Sequence, residues 1–117
     1  SAAFHTKLMQ PAADEFKASI SAFKFGKPDC GYYANLYGKL LEDFTDMPSY
    51  LAAHICSPVR FADELESMSA AGIEAFVELG PNKVLTGLVK KTLRGAVAVN
   101  IENNETLEKA LAALCGK

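Results

Sequence analysis

The chain has no tryptophan, only three cysteines and no apolar run approaching the ~20 residues that a bilayer-spanning helix requires. Each shortage closes off a class of function. Cys30, Cys56 and Cys115 are odd in number, widely spaced and in no CxxC pair. That pattern speaks for reduced thiols in a cytoplasmic protein and against a disulfide framework. His54-x-Cys56 has no second pair at a useful spacing, so no metal site is expected. The N-terminus lacks the basic and apolar regions of a signal peptide. A positive excess is missing too: 12 Lys and Arg stand against 14 Asp and Glu, a net charge of −2. Neither a nucleic acid nor a membrane surface is therefore an expected partner. None of the serines sits in a GxSxG elbow, and Gly80-Pro81-Asn82-Lys83 lacks the GxxxxGK[ST] spacing of a phosphate loop. It reads as a strand-to-helix turn.

What is present is enough apolar material for one domain-sized core, 50% of 117 residues. Leu8, Met9, Ala12, Phe16, Ile20 and Phe23 recur at three- and four-residue steps, the stripe of an amphipathic helix that Gly26-Lys27-Pro28 ends. Pro11 must lie in its first turn. Residues 31–35 (GYYAN) read as a strand and 36–46 as a connecting loop. Asp46-Met47-Pro48 opens a second helix carrying Tyr50, Leu51, His54 and Ile55. Ser57-Pro58 interrupts it, and Ser57 is the expected N-cap of a third helix with Phe61, Leu65 and Met68, stopped by Gly72. Residues 73–79 (IEAFVEL) have the pattern of a buried parallel strand. A helix with Val84, Leu85, Leu88 and Val89 follows, then a strand over 96–101. Asn103 or Asn104 caps a last helix with Leu107, Leu111 and Leu114. Strands alternating with helices mean an α/β fold with a mostly parallel sheet. Three strands are few for such a sheet. Together with an opening turn at Ser1-Ala2-Ala3, this leads to the expectation that the chain is the C-terminal part of a larger α/β unit.

Two places invite chemistry. His5 stands just before the first helix, and imidazole is the side chain best suited to moving protons near neutral pH. A histidine at a helix start with no chemical role remains the plainer reading. Lys90, Lys91 and Arg94 cluster at the end of a helix, where they either complement its dipole or meet an anionic partner.

Taken together, AFHTKLMQPA, SPVRF, FVELGPNKVLTGLVKK and VNIEN resemble, in order and spacing, the C-terminal portion of the malonyl-CoA:acyl carrier protein transacylase family. The resemblance runs from Ala2 to the end. It implies residues 1–117 of one acyltransferase catalytic domain, within the large α/β-hydrolase-like subdomain. The nucleophile elbow, oxyanion hole, carboxylate-binding arginine and ferredoxin-like subdomain would lie upstream. The family's serine accepts malonyl from malonyl-CoA, and the phosphopantetheine thiol of acyl carrier protein then removes it. His5 matches the general base and acid of that reaction. The main-chain carbonyl that orients the base falls on His54. Phe4 matches the substrate-binding position of malonyl-preferring members, and Lys90 and Lys91 fall where the carrier protein docks. No cofactor is implied, since the coenzyme A thioester and phosphopantetheine are substrates. The implied partners are malonyl-CoA, acyl carrier protein and the upstream half of the same enzyme, in the cytoplasm. The chain alone is expected to be inactive.

Departures from the family pattern are Asn82 for glycine, Phe61 for tryptophan and Ser57 for asparagine. Asn82 is the one that a turn with positive φ tolerates well. Competing readings are a non-catalytic carrier-protein-binding module of the same fold and an unrelated small α/β domain.

Overall fold

A computed structural model describes residues 3–116; Ser1 and Ala2 of the expected opening turn, and Lys117, lie outside the described residues. The chain forms two compact units that divide between Glu64 and Leu65.

In the first unit a 3₁₀ turn, Lys7–Met9, leads into helix α1, Gln10–Ile20, with Pro11 in the first turn as its fixed φ requires. Fully buried Ala13 lies on α1, which packs on α2, Met47–Cys56. α1 stops at Ile20 and does not run on to Gly26. The Ser19 and Ser21 hydroxyls donate to the carbonyls of Glu15 and Ala18, offering the backbone an alternative to helix propagation. Leu8, Phe16 and Phe23 of the expected stripe are exposed.

Residues 31–35 correct the strand reading. Only Tyr33–Ala34 is extended (β1), and it pairs antiparallel with Lys39–Leu40 (β2) inside the stretch expected to be loop. The turn between them needs Gly38 at φ +66°, with the Tyr37 and Gly38 amides donating to the Ala34 carbonyl. So short a hairpin is held by packing. Ala34, Met47 and Tyr50 form the core, flanked by Leu36, Leu41, Phe44 and Leu51.

α2 begins where expected: Asp46 accepts from the Ser49 amide at 3.1 Å, and Pro48 occupies the first turn. It ends at Cys56 because Pro58 disfavours helical geometry in the residue before it, and Ser57 is extended at φ −117°, ψ 151°. Helix α3 starts only at Phe61 and runs to Ala70. Ser57 is thus the C-terminal stop of α2 and not the N-cap of α3.

The end of α3 meets expectation. Gly72, at φ +87°, lets its own amide reach the Ser69 carbonyl and the Ile73 amide reach the Met68 carbonyl, the paired bonds of a Schellman stop. In the second unit β3, Ala75–Leu79, and β4, Val97–Ile101, pair in parallel from Ala75↔Val97 to Leu79↔Ile101. Helix α4, Val84–Thr92, connects them, and α5, Asn104–Cys115, follows β4. Both helices pack on β4, where Val89, Ala98 and Ala110 are buried. Asn103 caps α5 in a reciprocal box with Thr106. Parallel strands alternating with helices make the fold α/β, as expected.

β3 is not the buried strand that its composition suggests. Among the described residues it pairs with β4 alone, and Val77 and Leu79 stay exposed. An all-apolar strand is buried only when both faces are covered.

A methyl group on residue 38 would come within 2.6 Å of Asp63 Cβ, in addition to the positive φ. Gly38→Ala should therefore destabilise the protein by about 2 kcal/mol or more, given the usual cost of left-handed backbone for a residue with a Cβ. A urea midpoint unchanged from wild type would contradict this reading of the turn.

Candidate active-site histidine

His5 is held in an unusual backbone conformation, φ +63° with a full side chain. Such a residue persists only where its surroundings over-determine it. Two bonds do so. The His5 amide donates to the Ile55 carbonyl at 2.8 Å, and Nδ1 lies 3.1 Å from the His54 carbonyl oxygen. Both acceptors belong to the last turn of α2, whose carbonyls have no partner inside the helix. A carbonyl oxygen only accepts, so the side-chain contact requires the proton on Nδ1. In the neutral ring Nε2 then carries the lone pair.

Beneath His5 the aromatic rings continue. The His54 ring centroid is 5.5 Å from that of His5 and 6.3 Å from that of Tyr50, nearly parallel to it at 14°. Tyr50 in turn meets Tyr32 edge-on and Tyr37 at a tilt. The His54 Nε2 and the Tyr50 hydroxyl are buried without a partner. Burial, and then the neighbouring His5, hold the His54 pKa below the usual histidine value. His54 therefore stays neutral beside the candidate base. Burial likewise pushes the Tyr50 phenol and the Glu64 carboxyl up, so both favour their protonated forms.

The other predicted residues lie apart from this arrangement in kind. Phe4 is 59% exposed beside His5 in sequence. Lys90 and Lys91 occupy the last turn of α4, where cations complement the helix dipole. They belong to the second unit, His5 and His54 to the first. Among the described residues no group of three His, Cys, Asp or Glu gathers as a metal site, and no helix is long and apolar enough to cross a membrane.

A scan against protein-family models finds no match. Individual relatives do match. The chain is 34% identical over 111 residues to the malonyl CoA-acyl carrier protein transacylase of Bacillus subtilis, covering 95% of this chain and 35% of that protein. It superposes on the crystal structure of the malonyl CoA-acyl carrier protein transacylase from Clostridium perfringens with a TM-score of 0.94 at 30% identity, over 99% of this chain and 37% of the other. Over nearly its whole length the chain is similar to malonyl-CoA:acyl carrier protein transacylases. An acyltransferase domain from the second module of the salinomycin polyketide synthase is also similar, with a TM-score of 0.90, 31% identity and coverage of 100% and 29%. The chain spans about a third of the length of these relatives, in keeping with a portion of an acyltransferase.

Sequence reasoning missed Ile55 and Tyr50 beside His5 and His54, and Glu78 in the second unit. Ile55 contributes only a backbone carbonyl, which no side-chain motif announces. Tyr50 was placed on the second helix together with His54, and its ring also stacks on the His54 ring. Glu78 accepts from the Leu85 and Thr86 amides at 3.0 and 2.7 Å and so caps α4, a task the local residue Lys83 does not perform. Its signal was a lone carboxylate in an otherwise apolar strand.

The His54 shift has a consequence for stability. A group whose pKa is lower in the folded state leaves the unfolded chain holding more protons, so stability falls as pH drops below the unfolded histidine value of about 6.5. Between pH 7.5 and 5.5 the melting temperature of the wild type should fall further than that of His54→Gln. Equal losses would mean that the imidazole is not held neutral.

Proposed function

We propose that residues 1–117 are the C-terminal portion of the catalytic domain of an acyltransferase that moves malonyl from coenzyme A to the phosphopantetheine thiol of acyl carrier protein. His5 is its general base and acid. The observation that carries the reading is the double tether of His5 to the His54 and Ile55 carbonyls. It fixes ring orientation and tautomer together, which a histidine without chemistry would not need at the cost of a positive φ.

The tether dictates the proton path. Nε2 takes the proton of a serine hydroxyl supplied by the upstream half, and the serine oxygen attacks the thioester carbonyl. As the tetrahedral adduct collapses, the imidazolium returns its proton to the departing thiolate of coenzyme A, leaving malonyl-serine. The carrier's thiol then gives its proton to Nε2, attacks the ester, and the same proton restores the serine. The His54 carbonyl accepts from Nδ1 throughout and stabilises the imidazolium by its dipole, in the place where other triads use a carboxylate. No cofactor enters, since substrate thioester and thiol carry the chemistry. Phe4 narrows the acyl site towards malonyl, and the setting is the cytoplasm. Without the upstream serine the chain alone is inactive, and the open side of β3 is where the rest of the sheet joins.

In the complete enzyme His5→Ala should lower turnover by roughly 10²–10⁴-fold, the usual worth of a general base, with circular dichroism unchanged. Full turnover in that variant would remove the assignment. For the carrier protein, docking falls to the basic end of α4, Lys90 and Lys91. Lys91→Glu should raise KM for acyl carrier protein several-fold and leave KM for malonyl-CoA nearly alone, because a rim charge acts on association with a charged partner. Equal effects on both substrates would contradict a docking role.

A further inference from the structure

The last turn of α2 carries both bonds to His5 on carbonyls, those of His54 and Ile55, that have no partner within the helix. Helix ends fray, and Ser57 beyond this one is already extended. The carbonyls keep their aim only if the turn is held. Tyr50 stands one turn earlier, at the i, i+4 position to His54, where side chains of one helix face meet.

The surroundings of Tyr50 suit that task. Its ring lies nearly parallel to that of His54, 6.3 Å away between centroids, and meets Tyr32 edge-on at 6.4 Å and Tyr37 at 5.9 Å. These separations fall in the range where aromatic pairs attract beyond simple burial. Tyr32 and Tyr37 are themselves fixed by the hairpin. The Tyr32 carbonyl accepts from the Leu41 amide, and the Tyr37 amide donates to the Ala34 carbonyl. Tyr50 is only 7% exposed and belongs to the core with Ala34 and Met47. Its hydroxyl has no partner, so the ring and not the phenol oxygen makes the contacts. His54 Nε2 is likewise buried without a partner; the ring stays neutral and offers His5, 5.5 Å away, a packing surface.

We propose that Tyr50 is a positioning residue for His5: its ring clamps the His54 side chain to the hairpin and so holds the last turn of α2 with its two carbonyls aimed at the His5 amide and Nδ1. The effect on turnover rests on the reading of His5 as the general base. The effect on the His5 ring does not.

The test compares three variants of the complete enzyme. Tyr50→Met keeps apolar volume and removes the flat ring, and Tyr50→Phe keeps the ring without the hydroxyl. Met47→Ala loosens the same core from the opposite end of α2. The readouts are kcat, KM for malonyl-CoA, melting temperature and the tautomer of His5 from its imidazole ¹⁵N resonances. In Tyr50→Met, kcat should fall about tenfold or more with KM changed less than about twofold, and the Nδ1–H form of His5 should give way to a mixture of tautomers. Tyr50→Phe should stay within about twofold of wild type in kcat, with the tautomer fixed. Met47→Ala should lower the melting temperature and leave the tautomer fixed, which separates positioning from general stability. Should Tyr50→Met not fold, His54→Ala removes the other half of the clamp while keeping the carbonyl on a good helix former, and the same mixture is expected. A fixed Nδ1–H tautomer in Tyr50→Met, or in His54→Ala where it stands in, overturns the proposal. So does a mixed tautomer in Met47→Ala or in Tyr50→Phe. A mixed tautomer in Tyr50→Met with unchanged kcat supports the clamp and counts instead against His5 as the base, so the two failures are told apart.

Discussion

α2 stops at Cys56 because Pro58 keeps Ser57 out of helical geometry, and the arrangement at His5 depends on that stop. A helix that ran on would direct the residue 59 amide to the Ile55 carbonyl, whereas Pro58 has no N–H to offer His54. With the helix ended, those oxygens face outward without partners, and a segment nearly fifty residues upstream supplies both donors from one residue. Cys56 helps close the same turn, its thiol lying 3.7 and 3.6 Å from the Ala52 and Ala53 carbonyls. A helix C-terminus is also the negative end of the dipole. It therefore suits an imidazole that becomes cationic during a reaction, and suits an imidazole better than a carboxylate.

The energetics of the tether are close to balanced. A positive φ in a residue with a side chain costs on the order of 1–3 kcal/mol, and two ordinary hydrogen bonds return about 1 kcal/mol each. The arrangement adds little to stability but leaves the ring a single orientation. The layer beneath it is no better optimised. Asn35, Tyr50, His54 and Glu64 each keep a buried polar atom without a partner, and Glu64 is only 6% exposed. Side chains chosen for stability alone would be apolar there. The same region carries aromatic contact from the hairpin through Tyr50 to His54.

Much of the fold was legible where local chemistry decides it. Asp46, Gly72 and Asn103 each announce a helix end through a cap that needs no tertiary partner, and each end falls where its cap sits. Asn82 was expected to tolerate a left-handed turn, and it lies at φ +72°. Illegible were the features set by distant contacts. Residues 31–35 are aromatic enough for a strand, but their partner is four residues on and the pair folds on α2, not in the parallel sheet. Ser57 carries the chemistry of an N-cap, yet the proline after it acts backwards on α2. The burial of β3 was misread because apolar composition reports what a strand can cover, not what covers it among these residues. At His5 the sequence pattern pointed to the residue and the family resemblance to the His54 carbonyl; the second carbonyl, Ile55, has no side-chain signature at all.

The two units use carboxylates and carbonyls in opposite ways. Around His5 the anchors are uncharged carbonyls. In the second unit the anchors are carboxylates. Glu78 accepts from the first amides of α4, and Glu102 accepts from Asn82 at 3.0 Å, holding the left-handed turn that launches the helix. Asn100 closes the same turn through the Gly80 and Asn82 carbonyls. The βα turn thus fixes the start of α4 with two carboxylates and one side-chain amide, all of them directed at the backbone that launches the helix.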